Sequence, residues 1–156
     1  MAYDIQEYKS KIMTRIVNIP EILSLINNKN IVDSDGLRNT HVFSRIKIPK
    51  TPKETDNYIC FNLNSRTWNR NTVLKNFFFD VVIMCHEANI STKYGNRHDT
   101  IAGIIVDDFS WSNFLGFELE PVSDLESTTE EFCIRTLTFQ NKSPNSLSNG
   151  VKMDGY

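Results

Sequence analysis

The stretch Phe77-Phe78-Phe79-Asp80-Val81-Val82-Ile83-Met84-Cys85 is the most hydrophobic part of the 156-residue chain. Its β-branched and aromatic side chains favour a β-strand, and it is too short to cross a membrane as a helix. Apolar side chains occur at both odd and even positions of the stretch. We therefore expect it to be the central strand of a sheet, with both faces largely buried.

Before this strand, the spacing of the apolar residues changes from a helical to a strand period. Residues 4–17 predict an amphipathic helix, and Asn18 with Pro20 predicts the start of a second, short helix. A period of two then predicts a strand over 42–48, closed by Pro49, and another strand over 58–64. Residues 65–75 are polar and predict an exposed loop or the tip of a hairpin.

After the central strand, residues 86–97 predict a loop, and Asp99 predicts the cap of a helix that runs to Phe109. Alternation predicts two final strands, over 117–122 and 132–139. The order α-α-β-β-β-α-β-β predicts an α+β fold. We expect one mostly antiparallel sheet of about five strands, with the N-terminal helices and one later helix packed on it. Residues 1–140 are expected to form a single domain, and 141–156 a flexible tail.

Charge and composition exclude several classes of protein. The chain has 17 Lys and Arg against 19 Asp and Glu, a net charge of −2, which argues against a dedicated nucleic-acid binder. No apolar run approaches the roughly 20 residues of a membrane span, and the first residues do not resemble a secretory signal. The three cysteines lie in apolar, strand-like runs, so we expect buried free thiols in a reducing compartment.

The glycines, serines, histidines and acids are the residues that could form a catalytic motif. Neither a glycine-rich phosphate loop nor a GxSxG elbow occurs in the sequence. A nuclease-like metal site could combine His86-Glu87 or His98-Asp99 with Asp107 or Asp108. Adjacent aspartates on a helix diverge by about 100°, however, so we favour no metal, no cofactor and no catalytic residues.

Several charged residues are expected to have structural roles instead. Asp108 lies on the apolar stripe of its helix and needs a partner, which Arg97 or Arg135 could supply. Gly95, Arg97 and Asp99 predict a structural turn in which Gly95 permits the turn, Arg97 pairs with an acid and Asp99 caps the helix.

Arg66, Trp68 and Arg70 combine positive charge with a large aromatic ring in one polar loop. Such a loop could stack a nucleic-acid base, or it could form a protein–protein interface, where Trp and Arg are enriched. The near-neutral charge of the chain favours the protein interface. Both interpretations are compatible if identical subunits form a ring around DNA.

One region of the sequence resembles a known group of proteins. The pattern is made of His86, Thr92, Gly95, Arg97, Asp99, Ile101, Ala102, Ile105 and Gly116. It resembles the small neck proteins of tailed bacteriophages, the group of head–tail connectors, tail-completion proteins and tail terminators. The preceding layout is similar as well, with an Ile-Leu-x-Leu-Ile segment at 22–26, a strand ending at Pro49, and Tyr58-Ile59-Cys60. The resemblance covers roughly residues 10–140.

The resemblance implies a structural virion protein, not an enzyme, that forms a homo-oligomeric ring at the head–tail junction and terminates or joins the tail. Its implied partners are copies of itself, neighbouring connector, tail tube or sheath proteins, and DNA passing through the ring. No membrane and no small-molecule substrate are implied, and the protein would be made in the host cytoplasm and located in the virion. Residues 49–56, 65–75 and 141–156 would be the arms that reach neighbours. The alternatives are a small metal-dependent nuclease and a DNA-binding module of phage origin.

Overall fold

A computed structural model of the chain describes residues 5–47, 56–68 and 71–141, and within them all side chains except those of 66–68 and 71–75. The helices are α1 (Ile5–Val17), α2 (Pro20–Ile26) and α3 (Arg97–Phe109). The strands are β1 (Val42–Phe43), β2 (Asn57–Phe61), β3 (Asn64–Trp68), β4 (Asn71–His86), β5 (Ser91–Thr92), β6 (Gly95–Asn96), β7 (Leu119–Thr128) and β8 (Phe132–Asn141). None of the described helices is long and apolar enough to cross a membrane.

The predicted α+β fold is confirmed. Six strands form one sheet in the order β1-β2-β4-β8-β7, with β3 beside the first part of β4, while β5 and β6 form a separate small hairpin. Neighbouring strands are antiparallel except β1 and β2, which are parallel. The predicted sheet of about five mostly antiparallel strands thus has one more strand and one parallel pair.

Strand β4 lies at the centre of the sheet, as predicted, but only one of its faces is fully buried. Phe79, Val81, Ile83 and Cys85 are completely inaccessible and pack in the main core with residues of all three helices. On the opposite face, Met84 is buried, whereas the side chains of residues 78, 80 and 82 are half-buried. The helices cover one side of the sheet, and the second side remains partly open to solvent.

The first part of β4 extends beyond the rest of the sheet. Strand β8 pairs with β4 only from Phe78 to His86, whereas β3 pairs with it from Asn64↔Phe78 to Trp68↔Asn71. In the described part of the chain, residues 71–76 therefore pair with β3 alone, and the two segments form a projecting two-stranded ribbon (64–68 and 71–76). The predicted loop over 65–75 is wrong, and the predicted hairpin is right, because backbone pairing organises this polar sequence.

The other strand boundaries also differ from the sequence prediction. The strand expected over 42–48 is two residues long, and the one expected over 58–64 ends at Phe61. There the Asn62 side chain accepts a hydrogen bond from the backbone N–H of Asp80 at 2.9 Å, which interrupts regular pairing. Strand β7 begins two residues later than expected and continues to Thr128, because pairing with β8 extends it through a polar sequence.

Two further predictions concern the start of α2 and the proposed arms. The N-cap of α2 is Ile19, not Asn18, and Pro20, predicted inside the first turn, is the first residue of the helix. The proposed arms over 49–56 and 141–156 lie almost entirely outside the described residues, which include only Asp56 and Asn141.

Candidate functional site: a charged cluster at the start of the third helix

Arg135 is the centre of a charged cluster between α3 and the sheet. Its guanidinium donates to Asp99 Oδ1 at 2.9 Å and to Asp124 Oδ1 at 2.8 Å, and lies 3.7 Å from Glu126 Oε1. The sheet register places Glu126 of β7 opposite Arg135 of β8 on the face that carries α3. The hydrogen bond with Asp124, together with that to Asp99, raises the pKa of Arg135 above its usual value. The arginine is therefore a fixed positive charge that joins three carboxylates.

His98 closes the cluster from the buried side. It is 2% exposed, and its Nε2 lies 2.7 Å from Glu126 Oε2 and 3.4 Å from Asp99 Oδ1. Its Nδ1 has no hydrogen-bond partner within the described residues. One potential ligand atom each from His98, Asp99 and Glu126 lies within 4.8 Å of the others, a spacing that could hold a metal ion.

The position of Arg135 decides whether the cluster favours a metal ion or a structural ionic network. The guanidinium already donates to Asp99 and lies close to Glu126, so a divalent cation bound there would face a permanent positive charge. The hydrogen bonds of the cluster instead tie α3 to both β7 and β8. The geometry favours a structural ionic network over a metal centre.

The residues of the alternative nuclease site are not brought together. His98 and Asp99 lie at the start of α3, whereas Asp107 and Asp108 lie about nine residues further along, a rise of about 13 Å. Asp107 is exposed, and Asp108 Oδ2 accepts from Arg15 Nε at 2.7 Å. The expected pairing of Asp108 with Arg97 or Arg135 is wrong, since α1 supplies its partner.

The other candidate pair, His86 and Glu87, also has local partners. His86 Nδ1 accepts from the backbone N–H of Ala88 at 3.1 Å, which caps a short 3-10 helix over Glu87–Asn89. Glu87 Oε2 accepts from Cys133 Sγ at 2.9 Å. Both side chains therefore have structural contacts at the end of β4.

The turn before α3 differs from its predicted roles at two of three positions. Gly95 has a φ of 120°, a conformation that favours glycine. The helix begins at Arg97 with Asn96 as its N-cap, so the predicted cap Asp99 lies inside the first turn and binds Arg135 instead. Arg97 does not pair with the expected acid among the described residues. It donates to the main-chain oxygens of Leu25 and Asn89, each at 2.8 Å.

Sequence reasoning did not identify Asp124 and Glu126 as part of the cluster. Both residues come after position 122, where the sequence predicted that the strand would end. The alternation Ser123-Asp124-Leu125-Glu126 was the available signal, since it places the two acids on one face of a strand.

Two of the three predicted interface residues belong to the ribbon. Arg66 and Trp68 belong to β3, but their side chains are outside the part that the structure describes, and Arg70 is outside the described residues altogether. The assignment of these three residues to a protein or DNA interface stays a prediction.

All three cysteines are buried and unpaired, as predicted. Burial raises the pKa of Cys85 to about 12, and burial together with the Glu87 hydrogen bond raises the pKa of Cys133 to about 11, from an ordinary value of 9.0. Burial raises the pKa of Cys60 as well. The folded protein therefore holds these protons more tightly than the unfolded chain, and this stabilisation is lost as the pH rises above about 9.

We expect the thiols of the folded protein to resist alkylation. Because the pKa of Cys133 is raised from 9.0 to about 11, its thiolate fraction at pH 8 is about 100-fold lower in the folded protein than in the unfolded chain. Burial slows the reaction further. Iodoacetamide labelling followed by mass spectrometry measures each rate, with the urea-unfolded chain as control. Labelling of the folded protein at the unfolded rate would contradict this expectation.

Comparisons with known proteins add one finding. A model of the YomW family matches residues 13–141, which is most of the chain and includes every helix and strand of the sheet apart from the first part of α1. A comparison with curated proteins found no match. The family is named after a gene product of a Bacillus prophage, which indicates a phage origin. The chain belongs to the YomW family.

Proposed function

We propose that the protein is a structural virion protein of a tailed phage, forming a homo-oligomeric ring at the head–tail junction that terminates or joins the tail. The phage origin indicated by the family supports this role. So does the resemblance of residues 86–116 and of the preceding layout to small phage neck proteins. A ring subunit also needs segments that contact its neighbours, and two features of the structure fit that requirement.

The ribbon is the observation that carries the proposal. It leaves the sheet beyond the end of β8, and residues 71–76 have β3 as their single strand partner among the described residues. A two-stranded hairpin is marginally stable in water without further packing. Contact with a neighbouring subunit would supply that packing, and the projecting position suits such a contact.

The partly open side of the sheet offers further contact area. Tyr58, Val82 and Ile134 lie on that side and are half-buried around the small cluster of Cys60 and Met84. Apolar side chains on an uncovered face are typical of protein–protein contact surfaces. A subunit in a ring can use one such surface for each neighbour or for the next protein in the tail.

Shortening the ribbon is expected to abolish the ring without unfolding the subunit. Arg66 and Asn76 are opposite each other, so replacing residues 67–75 by Asn-Gly closes the same hairpin with a two-residue turn. Native mass spectrometry should show a ring for the wild type and a monomer for the variant. We expect the melting temperature to change by only about 3 °C, because the main core is untouched.

The matched control introduces Asn-Gly as the turn of a different hairpin. Lys93 and Tyr94 connect β5 to β6, and their replacement by Asn-Gly should leave the ring intact. From the resemblance, a ring of six would favour the tail terminator and a ring of twelve a connector. A wild-type protein that stays monomeric at high concentration and adds to neither tails nor connectors would contradict the proposed function.

A further inference from the structure

We infer that the ribbon of one subunit pairs with the outer edge of β7 in the next subunit, so that the sheets join head to tail around the ring. This inference rests on the proposed ring and names the two surfaces that close it. The ribbon and β7 lie on different parts of the sheet, so the contact joins two unlike surfaces. Contacts of this kind form closed rings when the rotation between subunits allows closure.

Strand β7 is the last strand of the sheet, and its outer edge offers backbone groups for pairing. Hydrogen bonds from the 110–112 turn reach only its first residue, Leu119. From 122 to 128 all but one residue is exposed, and no described strand covers this outer edge. Leu125 is 66% exposed and Val122 is 51% exposed. An extended edge with exposed apolar side chains is a ready template for another strand.

The composition of β7 disfavours pairing with another acidic strand but does not block a basic one. Natural edge strands are commonly blocked by charged side chains, especially lysine, by proline or by a bulge. Pro121 and the irregular register between Pro121 and Ser123 protect the beginning of β7. The remaining residues, 123–128, contain neither lysine nor proline. The exposed part of the strand is therefore suited to pairing with a partner.

Charge complementarity identifies a second copy of the chain as that partner. Strand β7 contains three acids and no basic residue, whereas the two ribbon segments, 64–68 and 71–76, contain two basic residues and no acid. The acids are Glu120, Asp124 and Glu126, and the basic residues are Arg66 and Lys75. Arg135 neutralises part of the β7 charge, but the Asp124 and Glu126 side chains remain 43% and 50% exposed. The basic ribbon and the acidic edge of β7 therefore attract each other, whereas two ribbons or two β7 edges repel each other.

Leu125 provides a substitution with a matched control. Leu125→Lys blocks the edge and repels the basic ribbon, whereas Leu125→Glu introduces an equally polar side chain with the attractive charge. We expect the lysine variant to weaken subunit association at least 10-fold in analytical ultracentrifugation, and the glutamate variant to weaken it clearly less. The high exposure of Leu125 means that both variants should fold, which circular dichroism checks. Adding Arg66→Glu and Lys75→Glu to the lysine variant should restore part of the association.

A mixing experiment tests the head-to-tail geometry directly. The ribbon-shortened subunit retains β7, and the Leu125→Lys subunit retains the ribbon, so neither forms rings alone. An equimolar mixture should give one-to-one dimers in native mass spectrometry, because only one productive contact remains per pair. If Leu125→Lys forms rings like the wild type, or the mixture stays monomeric, the ribbon does not pair with β7 and the inference is overturned, although the ring proposal stands. A wild-type protein that forms no ring removes the proposed function as well.

Discussion

Replacing Phe79 by alanine is expected to lower the free energy of unfolding by about 4 kcal/mol. The Phe79 side chain is completely buried on the helix side of β4. Its ring centroid lies 5.5 Å from that of Phe139 on β8 and 6.1 Å from that of Phe109 on α3. The substitution leaves a cavity where strand, strand and helix meet. Thermal unfolding should show a melting temperature lower by about 10 °C.

The neighbouring residue provides the control for this expectation. Phe78 has the same side chain on the same strand but lies on the partly open side of the sheet, where it is half-buried. Phe78→Ala should therefore cost about 1 kcal/mol, since less apolar surface returns to water. Equal losses of unfolding free energy for the two variants would show that the helix-covered face of β4 contributes no more to the core than the partly open face.

The main elements of the fold follow from local patterns of the sequence. Helices α1 and α3 have apolar residues at helical spacing, and the central strand is a short continuous run of β-branched and aromatic residues, so each indicates its own structure. No described side chain of β4 is exposed, as predicted, but the prediction did not distinguish the two faces, because the sequence does not say which elements cover each one. The even-numbered face carries Asp80, which hydrogen-bonds to Thr138 at 2.6 Å on the open side.

The ribbon and the charged cluster depend on pairing between distant parts of the chain. Strand β3 is polar, and its sequence left a loop and a hairpin tip as alternatives, because its structure comes from hydrogen bonds to β4 and not from its own side chains. In the same way, Asp124, Glu126 and Arg135 approach each other through the register of β7 and β8. His98 and Asp99 reach them only because α3 packs across those strands. Sequence spacing alone contains no information about that register.

Replacing Arg97 by alanine is expected to lower the free energy of unfolding by about 3 kcal/mol, although Arg97 forms no ion pair in the described part of the chain. The side chain is 7% exposed and donates to the main-chain oxygens of Leu25 and Asn89 and to Asn89 Oδ1. Leu25 lies in the last turn of α2, where a positive charge is favourable and where that helix has no basic residue of its own. Alanine would remove the donors that Arg97 supplies to the buried Leu25 carbonyl and to the part-buried Asn89 carbonyl, at about 1–3 kcal/mol for a buried group. Urea unfolding measures the change.

Arg15 supplies the comparison that separates hydrogen-bond satisfaction from charge pairing. Its guanidinium lies 2.7 Å from Asp108, but both side chains are partly exposed, so Arg15→Ala should cost less than about 1 kcal/mol. Arg97→Lys keeps the positive charge but not the planar fork that reaches α2 and Asn89 together, and it should recover only part of the loss. If Arg97→Lys were as stable as the wild type, charge alone would account for the role of Arg97. If Arg15→Ala cost as much as Arg97→Ala, the buried carbonyls would not be the source of the effect.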